Sequence, residues 1–153
     1  MSSWVDHALA GLSAAGLRRG GARRTVVEFL DEQRCCLSAQ EIHDGIRAAG
    51  GAVGVASVYR ALETLAALRL VQRVDVGDGV ARFEPSGGQH HHHHLVCDGC
   101  GRVEPFVDDR LERALAGAAG RLGYAMEQHE VVLRGACADC RTQRHFVSQH
   151  KSA

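Results

Sequence analysis

Apolar residues recur at helical spacing along the first part of the chain. This pattern predicts a helix from about Trp4 to Ala15 and a second helix from about Ala22 to Glu32. Ser38 and Glu41 form a capping-box pattern, so we expect a third helix to begin there. A fourth helix is predicted from about Ala56 to Ala67. The first part of the chain is therefore expected to be mainly helical.

Two short β-rich segments follow these helices. They span Leu70–Val76 and Val80–Phe83, and a Gly-Asp-Gly sequence joins them, which is a hairpin signal. Helices followed by a hairpin are the order of a winged helix-turn-helix, whose recognition helix enters the DNA major groove and contacts bases from its N-terminal residues. Tyr59 and Arg60 fall at that position, although an ordinary surface helix would show the same pair.

The second part of the chain shows a β-α-β pattern after a hinge predicted at residues 84–88. Strands are predicted over His92–Cys97 and Arg102–Phe106, and a third strand over Tyr124–Leu133. Two acids at 108 and 109 suit the first turn of the intervening helix. The apolar side of that helix is predicted to consist of Leu111, Leu115 and Leu122.

Two cysteine pairs have metal-binding spacing. Cys97 and Cys100 form one CxxC pair, and Cys137 and Cys140 form the other. Four thiolates in two such pairs suit a closed tetrahedral zinc site. A single pair would be equally compatible with a redox pair or a disulfide, but two pairs beside a histidine run favour structural zinc. The sequence between the pairs is long enough to hold a helix, so the metal would join distant segments.

Five consecutive histidines at residues 90–94 precede the first cysteine pair. A purification tag or an inert solvated tract is the alternative explanation, but tags are normally terminal and this run is internal. In a strand, alternate side chains point to opposite faces. His92 and His94 would then face one way, and His91 and His93 the other. One short strand could therefore serve two different metal sites.

Composition limits the classes of protein to consider. A chain of 153 residues fits one domain or two small ones. No apolar run approaches the roughly 20 residues of a membrane helix, and we find no secretory signal. Four of the six cysteines have metal spacing, so a reducing cytoplasm is the expected setting. No HExxH motif or nucleophile–base pairing is present, so no enzymatic activity is expected.

The charge pattern is informative only locally. The formal net charge is zero, so composition alone does not indicate a nucleic-acid binder. Arg18, Arg19, Arg23 and Arg24 nevertheless lie in one short stretch with no intervening acid. A solvated helix start explains this cluster as well as a DNA contact does.

Six segments of the chain occur in an order that, as a combination, is much more specific than any one of them. They are ARRTVVEFL, LSAQEIHDGI, GVASVYRALETL, RFE, HHHHLVCDGCGRVEPF and GACADC. This combination, from about Leu17 to Cys140, resembles the ferric uptake regulator (Fur) family of bacterial metal-responsive repressors. The resemblance implies a homodimer that binds palindromic double-stranded DNA operators when its sensing metal is bound.

The resemblance also implies an α+β organisation in two domains. We expect a winged helix-turn-helix DNA-binding domain at residues 1–84 and a hinge at residues 85–89. A small α/β dimerisation and metal-binding domain is expected at residues 90–141, followed by a flexible tail at residues 142–153.

Three metal sites and a DNA surface follow from the resemblance. The structural zinc site takes Cys97, Cys100, Cys137 and Cys140. The regulatory site, for Zn²⁺ or Fe²⁺, takes Cys36, Glu84, His92 and His94. A third site takes His91, His93, Glu112 and His129. The expected DNA contacts come from Arg18, Arg19, Arg23, Ser57, Tyr59 and Arg60.

The donor set predicts which metal is sensed. Cys36 would supply a soft thiolate, which favours zinc over manganese, so we expect a zinc-sensing member of the family. The alternative is that Cys36 is a small buried residue beside an iron site, in an iron- or peroxide-sensing regulator. A metal-storage or metal-delivery protein would explain the histidine run but not the wing or the polar start of the fourth helix.

Overall fold

A computed structural model describes residues 3–18, 21–86 and 91–142 of the chain. The chain separates into two compact units, residues 1–90 and residues 91–153. Each unit combines helices with a small three-stranded sheet, so the predicted α+β class is confirmed. Among the helices described, none is long and apolar enough to cross a membrane.

The first unit packs helices against an antiparallel sheet. Its helices are α1 (Trp4–Ala14), α2 (Ala22–Asp31), α3 (Ala39–Ala48) and α4 (Val55–Ala67). Its strands are β1 (Leu37–Ser38), β2 (Val71–Asp75) and β3 (Ala81–Pro85), in the sheet order β1-β3-β2. The four predicted helices and the hairpin are all present, in the order of a winged helix-turn-helix.

One apolar core holds the first unit together. Residues at helical spacing on each helix are fully buried in it, including Leu12, Leu30, Ile42 and Leu62. Helices α2 and α3 approach closely at Gly45, where a Cβ atom would lie 2.3 Å from the Phe29 ring. A side chain at this glycine would therefore require the Phe29 ring to move or the two helices to separate.

The capping box that begins α3 is confirmed. The Ser38 hydroxyl accepts a hydrogen bond from the Glu41 backbone N–H at 3.2 Å, and the Glu41 carboxylate accepts one from the Ser38 N–H at 2.7 Å. These contacts satisfy two backbone donors that the first helical turn leaves unpaired. Because Ser38 also belongs to β1, the cap fixes the point at which strand becomes helix.

One expectation for this unit needs correction, and one strand was not predicted. Glu84 and Pro85 were predicted to open a hinge, but both continue β3, where Glu84 pairs with Gln72 and Pro85 with Val71. Backbone pairing with β2 thus extends β3 through Glu84 and Pro85, the residues whose composition suggested a turn. The two-residue strand β1 was not predicted, because two residues show no alternation. Residues 87–90 of the expected hinge and histidine run lie outside the described residues.

The second unit has the expected β-α-β order. It comprises β4 (His93–Cys97), β5 (Val103–Phe106), α5 (Asp109–Arg121) and β6 (Val132–Gly135). Strand β4 is central, antiparallel to β5 and parallel to β6. The Asp108 carboxylate caps α5 by accepting hydrogen bonds from the N–H groups of residues 110 and 111. The acidic start predicted for this helix is therefore confirmed.

Two details of the second unit differ from the prediction. The strand expected over Tyr124–Leu133 is formed only from Val132, because the ladder with β4 begins where His94 pairs with Val132. The alternation of side chains earlier in this segment does not produce a strand there, because strand formation also requires a partner strand. Leu122, expected on the buried side of α5, follows the last helical residue and is 74% exposed, and α5 itself has no buried residue.

Candidate metal centres and nucleic-acid interface

The two CxxC pairs come together in the second unit. Cys97 is the last residue of β4 and Cys100 lies in the turn that follows, whereas Cys137 and Cys140 lie in the segment after β6. Their four sulfur atoms all lie within 4.8 Å of one another, and the Sγ atoms of Cys100 and Cys137 are 3.9 Å apart. Zn–S bonds of 2.3 Å in a tetrahedron would place two sulfurs about 3.8 Å apart. The cluster therefore has the size and donor chemistry of a Cys₄ zinc site.

Backbone contacts make one of these thiols acidic. The N–H of Cys137 donates to the Cys97 sulfur at 3.2 Å, and this bond, followed by others from the backbone of the same turn, lowers the pKa of Cys97 to about 6. A thiolate is the form that binds a metal. A hydrogen bond with Cys137 instead raises the pKa of Cys140 to about 12, as expected when neighbouring sulfurs compete for one negative charge.

Gly99 allows the first pair to approach the second. A Cβ atom at this position would lie 2.9 Å from both the Cβ and the Sγ of Cys140. A larger residue would therefore push the two cysteine pairs apart. The glycine between the cysteines is a steric requirement of the cluster that the CxxC spacing alone did not indicate.

A second cluster, the histidine–glutamate cluster, also lies wholly in the second unit. It consists of His91, His93, Glu112 and His129, whose ligand atoms lie within 4.8 Å of one another. The Glu112 carboxylate is 2.6 Å from His93 Nε2 and 2.9 Å from His129 Nε2. The Nε2 atoms of His91 and His129 are 3.0 Å apart. These are the four residues predicted for the third metal site, and three imidazoles with one carboxylate suit zinc.

The charge of Glu112 is stabilised by its neighbours. Partial burial raises the pKa of this carboxyl, but hydrogen bonds with His93 and His129 and the charges of His129 and His91 outweigh that effect, so the net pKa is lowered. The carboxylate form is the one that can coordinate a cation. The cluster thus keeps its anionic ligand charged in the neutral range.

Two of the residues predicted for the regulatory metal site, Cys36 and Glu84, are neighbours in the first unit. Strand β1 pairs with β3 through Leu37 and Phe83, and one step further along this register Cys36 lies opposite Glu84. Both side chains are almost completely buried, Glu84 with 3% exposure. A buried carboxylate beside a buried thiol needs a compensating cation or donor. The pair therefore fits half of a cation site.

The thiol of Cys36 is held in its protonated form. A hydrogen bond with the Cys35 thiol raises the pKa of Cys36, and burial and the nearby negative charge of Glu84 raise it further. Metal binding must therefore release a proton from this residue. Cys35 is half-buried and influences its neighbour through this bond.

His92 and His94 form a separate pair in the second unit. Their ring centroids are 5.0 Å apart, whereas His91 packs on His93 at 4.8 Å. The two pairs follow the alternation predicted for a strand, although β4 itself begins only at His93. His94 is buried, and His92 is half-buried. The histidine run therefore divides into two sets, as the alternation required.

The predicted DNA contacts begin on α4. Tyr59 is 50% exposed and Arg60 is also exposed, and the Arg60 guanidinium donates to the Ser57 hydroxyl at 3.3 Å. All three lie in the first two turns of the helix that precedes the hairpin. An exposed phenol and guanidinium there are available to base edges.

The arginine cluster is only partly described. Arg18 is exposed, and Arg23 is half-buried in the first turn of α2. The Nε atom of Arg23 is buried and has no hydrogen-bond partner among the residues described. Arg19, also predicted to contact DNA, lies outside the described residues.

Two polar contacts beside Glu84 were not predicted. The Gln72 side-chain amide donates to Glu84 Oε1 across the β2–β3 ladder. Arg82, buried on the same face of β3, donates to both carboxylate oxygens of Asp78 in the hairpin turn, at 2.9 and 2.8 Å. Both contacts depend on the register of the hairpin, which the Gly-Asp-Gly signal did not fix.

Comparison with known proteins decides the family. The model of the ferric uptake regulator family matches residues 14–134, which include α2 to α5 and most of β6. The chain belongs to the ferric uptake regulator family. The resemblance recognised in its motifs is thereby confirmed, and with it the prediction of a metal-responsive transcriptional regulator.

Relatives with different names are similar to this family member. The zinc uptake regulation protein of Mycobacterium tuberculosis is 38% identical over 136 residues, which cover 86% of this chain and 100% of that protein. The ferric uptake regulation protein of Legionella pneumophila is 38% identical over 130 residues, which cover 84% of this chain and 95% of that protein. Overall identity therefore does not distinguish a zinc regulator from an iron regulator.

A solved structure of the family supports the fold. The crystal structure of the ferric uptake regulator of Vibrio cholerae matches with a TM-score of 0.73 and 34% identity, over 84% of this chain and 98% of that chain. Regulators of this family combine a winged-helix DNA-binding domain with a dimerisation domain. The helices and hairpin of the first unit and the β-α-β order of the second correspond to these two parts.

Proposed function

We propose that this family member is a zinc-dependent transcriptional repressor that acts in the cytoplasm as a homodimer on palindromic operators. The buried pair of Cys36 and Glu84 carries the proposal. A thiol and a carboxylate at that place in the first unit are a mixed S and O donor set. Imidazoles of His92 and His94 would complete four ligands of the kinds that tetrahedral zinc accepts. This function requires no catalysis.

Each candidate cluster receives a separate role in the proposal. The four cysteines Cys97, Cys100, Cys137 and Cys140 hold a structural zinc. The regulatory metal takes Cys36, Glu84, His92 and His94. The histidine–glutamate cluster of His91, His93, Glu112 and His129 is a third site. A structural zinc in a closed Cys₄ site adds its binding free energy to folding.

Metal availability would control DNA binding if the metal binds one conformation of the protein more tightly than another. A ligand shifts the equilibrium between two conformations only through its different affinity for each of them. Cys36 and Glu84 belong to the first unit, whereas His92 and His94 belong to the second. A state in which all four serve one ion is favoured when that ion is abundant. We propose that this state places the two recognition helices of a dimer at successive major grooves, roughly 34–36 Å apart.

The choice of zinc rests on the donors. Thiolate ligands favour zinc over manganese, and imidazole suits zinc as well. Iron is the competing candidate, because a regulator named for ferric uptake is as similar to this chain as one named for zinc uptake. If Cys36 is not a ligand, the remaining carboxylate and imidazoles suit iron, and the protein would be an iron- or peroxide-sensing regulator.

Exposed apolar side chains support the homodimer. Helix α5 has no buried residue, and Tyr124 just after it is 75% exposed. Val107 and Leu133 are also exposed in the second unit. Large apolar surface of this kind is typical of an interface with another protein chain. The proposed partner is a second copy of the chain, joined through the second unit.

DNA contacts are proposed for residues of the first unit. Arg60 and Tyr59 would contact base edges, and Ser57 would hold the Arg60 guanidinium in position. Arginine at the start of a recognition helix commonly contacts guanine through two hydrogen bonds. Arg18, Arg19 and Arg23 would neutralise phosphates, which adds affinity without sequence preference.

Buffered metal titrations of DNA binding test this proposal. A duplex selected from a random pool with zinc-loaded protein would serve as operator, and fluorescence anisotropy would report binding. Zinc should induce binding at a lower free concentration than iron, manganese or nickel. Equal binding after chelation of every removable metal would contradict the proposal, whereas a preference for ferrous iron would favour the iron sensor.

A further inference from the structure

The Glu84 carboxylate has a neighbour that the proposed ligand set does not include. Glu84 on β3 pairs directly with Gln72 on β2. Side chains of such cross-strand partners project from the same face of a sheet and can touch. The Gln72 amide nitrogen donates to Glu84 Oε1 at 2.5 Å. Glu84 therefore lies between Gln72 on β2 and Cys36, the residue that directly precedes β1.

The other strong donor nearby is directed elsewhere. Arg82 lies two residues before Glu84 on β3, so it projects from the same face of the sheet. Both terminal nitrogens of Arg82 donate to Asp78 in the hairpin turn. The guanidinium charge is thus matched by a second carboxylate, whereas the neutral amide of Gln72 donates to Glu84.

We propose that Gln72 is a positioning residue, which fixes the Glu84 carboxylate so that one oxygen is held by the amide and the other faces the regulatory metal. This inference rests on the proposed function of Glu84 as a ligand. Groups that hydrogen-bond a ligating carboxylate fix its orientation, and their loss typically lowers metal affinity by about 10- to 100-fold. Because Gln72 is neutral, it orients the carboxylate without neutralising the charge that attracts the cation.

A matched pair of substitutions tests the role of Gln72. Gln72→Met keeps the length and volume of the side chain but removes the donor. Gln40→Met is the control, because the Gln40 amide also donates to a carboxylate in the first unit, that of Asp44 at 2.9 Å, away from the candidate site. Zinc affinity would be measured by competition with a chromogenic chelator, without DNA, in a His129→Ala background that weakens the third site.

Gln72→Met should weaken zinc binding at the regulatory site by about 10-fold or more, while Gln40→Met should leave it unchanged. The metal-depleted Gln72→Met variant should unfold at a lower temperature than Gln40→Met, because Glu84 is buried whereas Asp44 is exposed. Zinc affinity is therefore compared at a temperature where both variants are fully folded. A similar affinity in Gln72→Met and Gln40→Met would overturn the proposal. So would a loss of zinc affinity in Gln72→Met that disappears at temperatures where both metal-depleted variants are fully folded.

A double-mutant cycle separates this inference from the proposed function. If Gln72 acts through Glu84, the Gln72→Met change should have no further effect on zinc affinity in a Glu84→Gln background. Additive effects would show that Gln72 acts in another way. A Glu84→Gln variant with wild-type affinity would remove Glu84 from the ligand set, and the proposed regulatory site would fail together with the inference. A weakened Glu84→Gln with an unaffected Gln72→Met would overturn the inference alone.

Discussion

The Nε2 atom of His93 lies 2.6 Å from Oε1 of Glu112, a contact that joins strand β4 to helix α5. His129 approaches the other carboxylate oxygen at 2.9 Å. One carboxylate thus connects two imidazoles that are far apart in the sequence. Without a cation these contacts are hydrogen bonds, and with a cation the same atoms would become its ligands.

Removing the charge of Glu112 should therefore weaken the third metal site. In a Glu112→Gln variant we expect a loss of roughly one bound zinc per protomer in equilibrium dialysis at free zinc about 10-fold above the wild-type dissociation constant of this site, because a neutral amide is a much poorer ligand. Asp109→Asn is a matched control, since it removes an acid from the first turn of the same helix. Equal zinc content in wild type, Glu112→Gln and Asp109→Asn would show that the cluster binds no zinc.

The four-cysteine cluster should hold its metal much more tightly. We expect Cys97→Ser to lose about one zinc per protomer and to dissociate the dimer, because three sulfur ligands cannot close the tetrahedral site. Cys35→Ser is the control, because that cysteine lies in the first unit. Metal analysis and sedimentation would be measured together. A dimeric Cys97→Ser protein with unchanged zinc would remove the structural assignment.

The hairpin should depend on pH through the pair of Asp78 and Arg82. The Arg82 guanidinium lowers the pKa of Asp78 from 3.8 to about 2. Because the pKa is lower in the folded protein, the pair stabilises the fold above the ordinary value and loses this effect as the pH falls towards 2. The denaturant midpoint of Asp78→Asn should therefore be lower than that of wild type near neutral pH.

The difference between Asp78→Asn and wild type should shrink as the pH falls below about 4. Urea unfolding of the metal-depleted proteins at several pH values measures it. Asp44→Asn, which changes an exposed acid on α3, controls for the general effect of removing a charge. A pH-independent difference would show that the ion pair does not stabilise the hairpin.

Arg60 should contribute to operator binding but not to metal binding. We expect Arg60→Ala to weaken operator binding by about 1–3 kcal/mol and to relax the preference at one base position. Tyr59→Phe should weaken operator binding as well. Arg121→Ala is the control, because it removes the same charge from the last turn of α5 in the second unit. Wild-type affinity and specificity in Arg60→Ala would exclude this arginine from the contact surface.

Local patterns in the sequence predicted the parts of the fold that depend on local physics. The capping box placed the start of α3, and alternation separated His92 and His94 from His91 and His93. The strand expected from Tyr124 was mostly wrong, because strand formation depends on a partner as well as on the pattern of the segment. Only the part that pairs with β4 became a strand.

Among the candidate sites, residues close together in sequence were likewise predicted from local patterns, whereas residues from different elements were not. CxxC spacing indicated the four cysteines directly, because each pair acts within one turn. The family resemblance was needed for Glu112 and His129, which come from different elements. Neither source indicated Gln72, since its contact with Glu84 depends on the register of a hairpin whose turn had several possible pairings.

Cys36 provides a specific test of which metal is sensed. Cys36→Ser should respond poorly to zinc, because a hydroxyl is a weaker zinc ligand than a thiolate. Cys36→His should regain part of an iron response, since an imidazole suits iron as well. An unchanged zinc response in Cys36→Ser, together with its loss in His92→Ala, would make iron the better candidate.

The central claim is that zinc controls operator binding through ligands from both units. The most direct measurement is the anisotropy of a labelled operator duplex across buffered free zinc, compared between wild type and His92→Ala, both with the structural zinc retained. We predict that wild type changes from weak to tight binding as zinc rises, whereas His92→Ala stays in the weak state. Zinc-independent binding by wild type, or an unchanged zinc response in His92→Ala, would contradict the account.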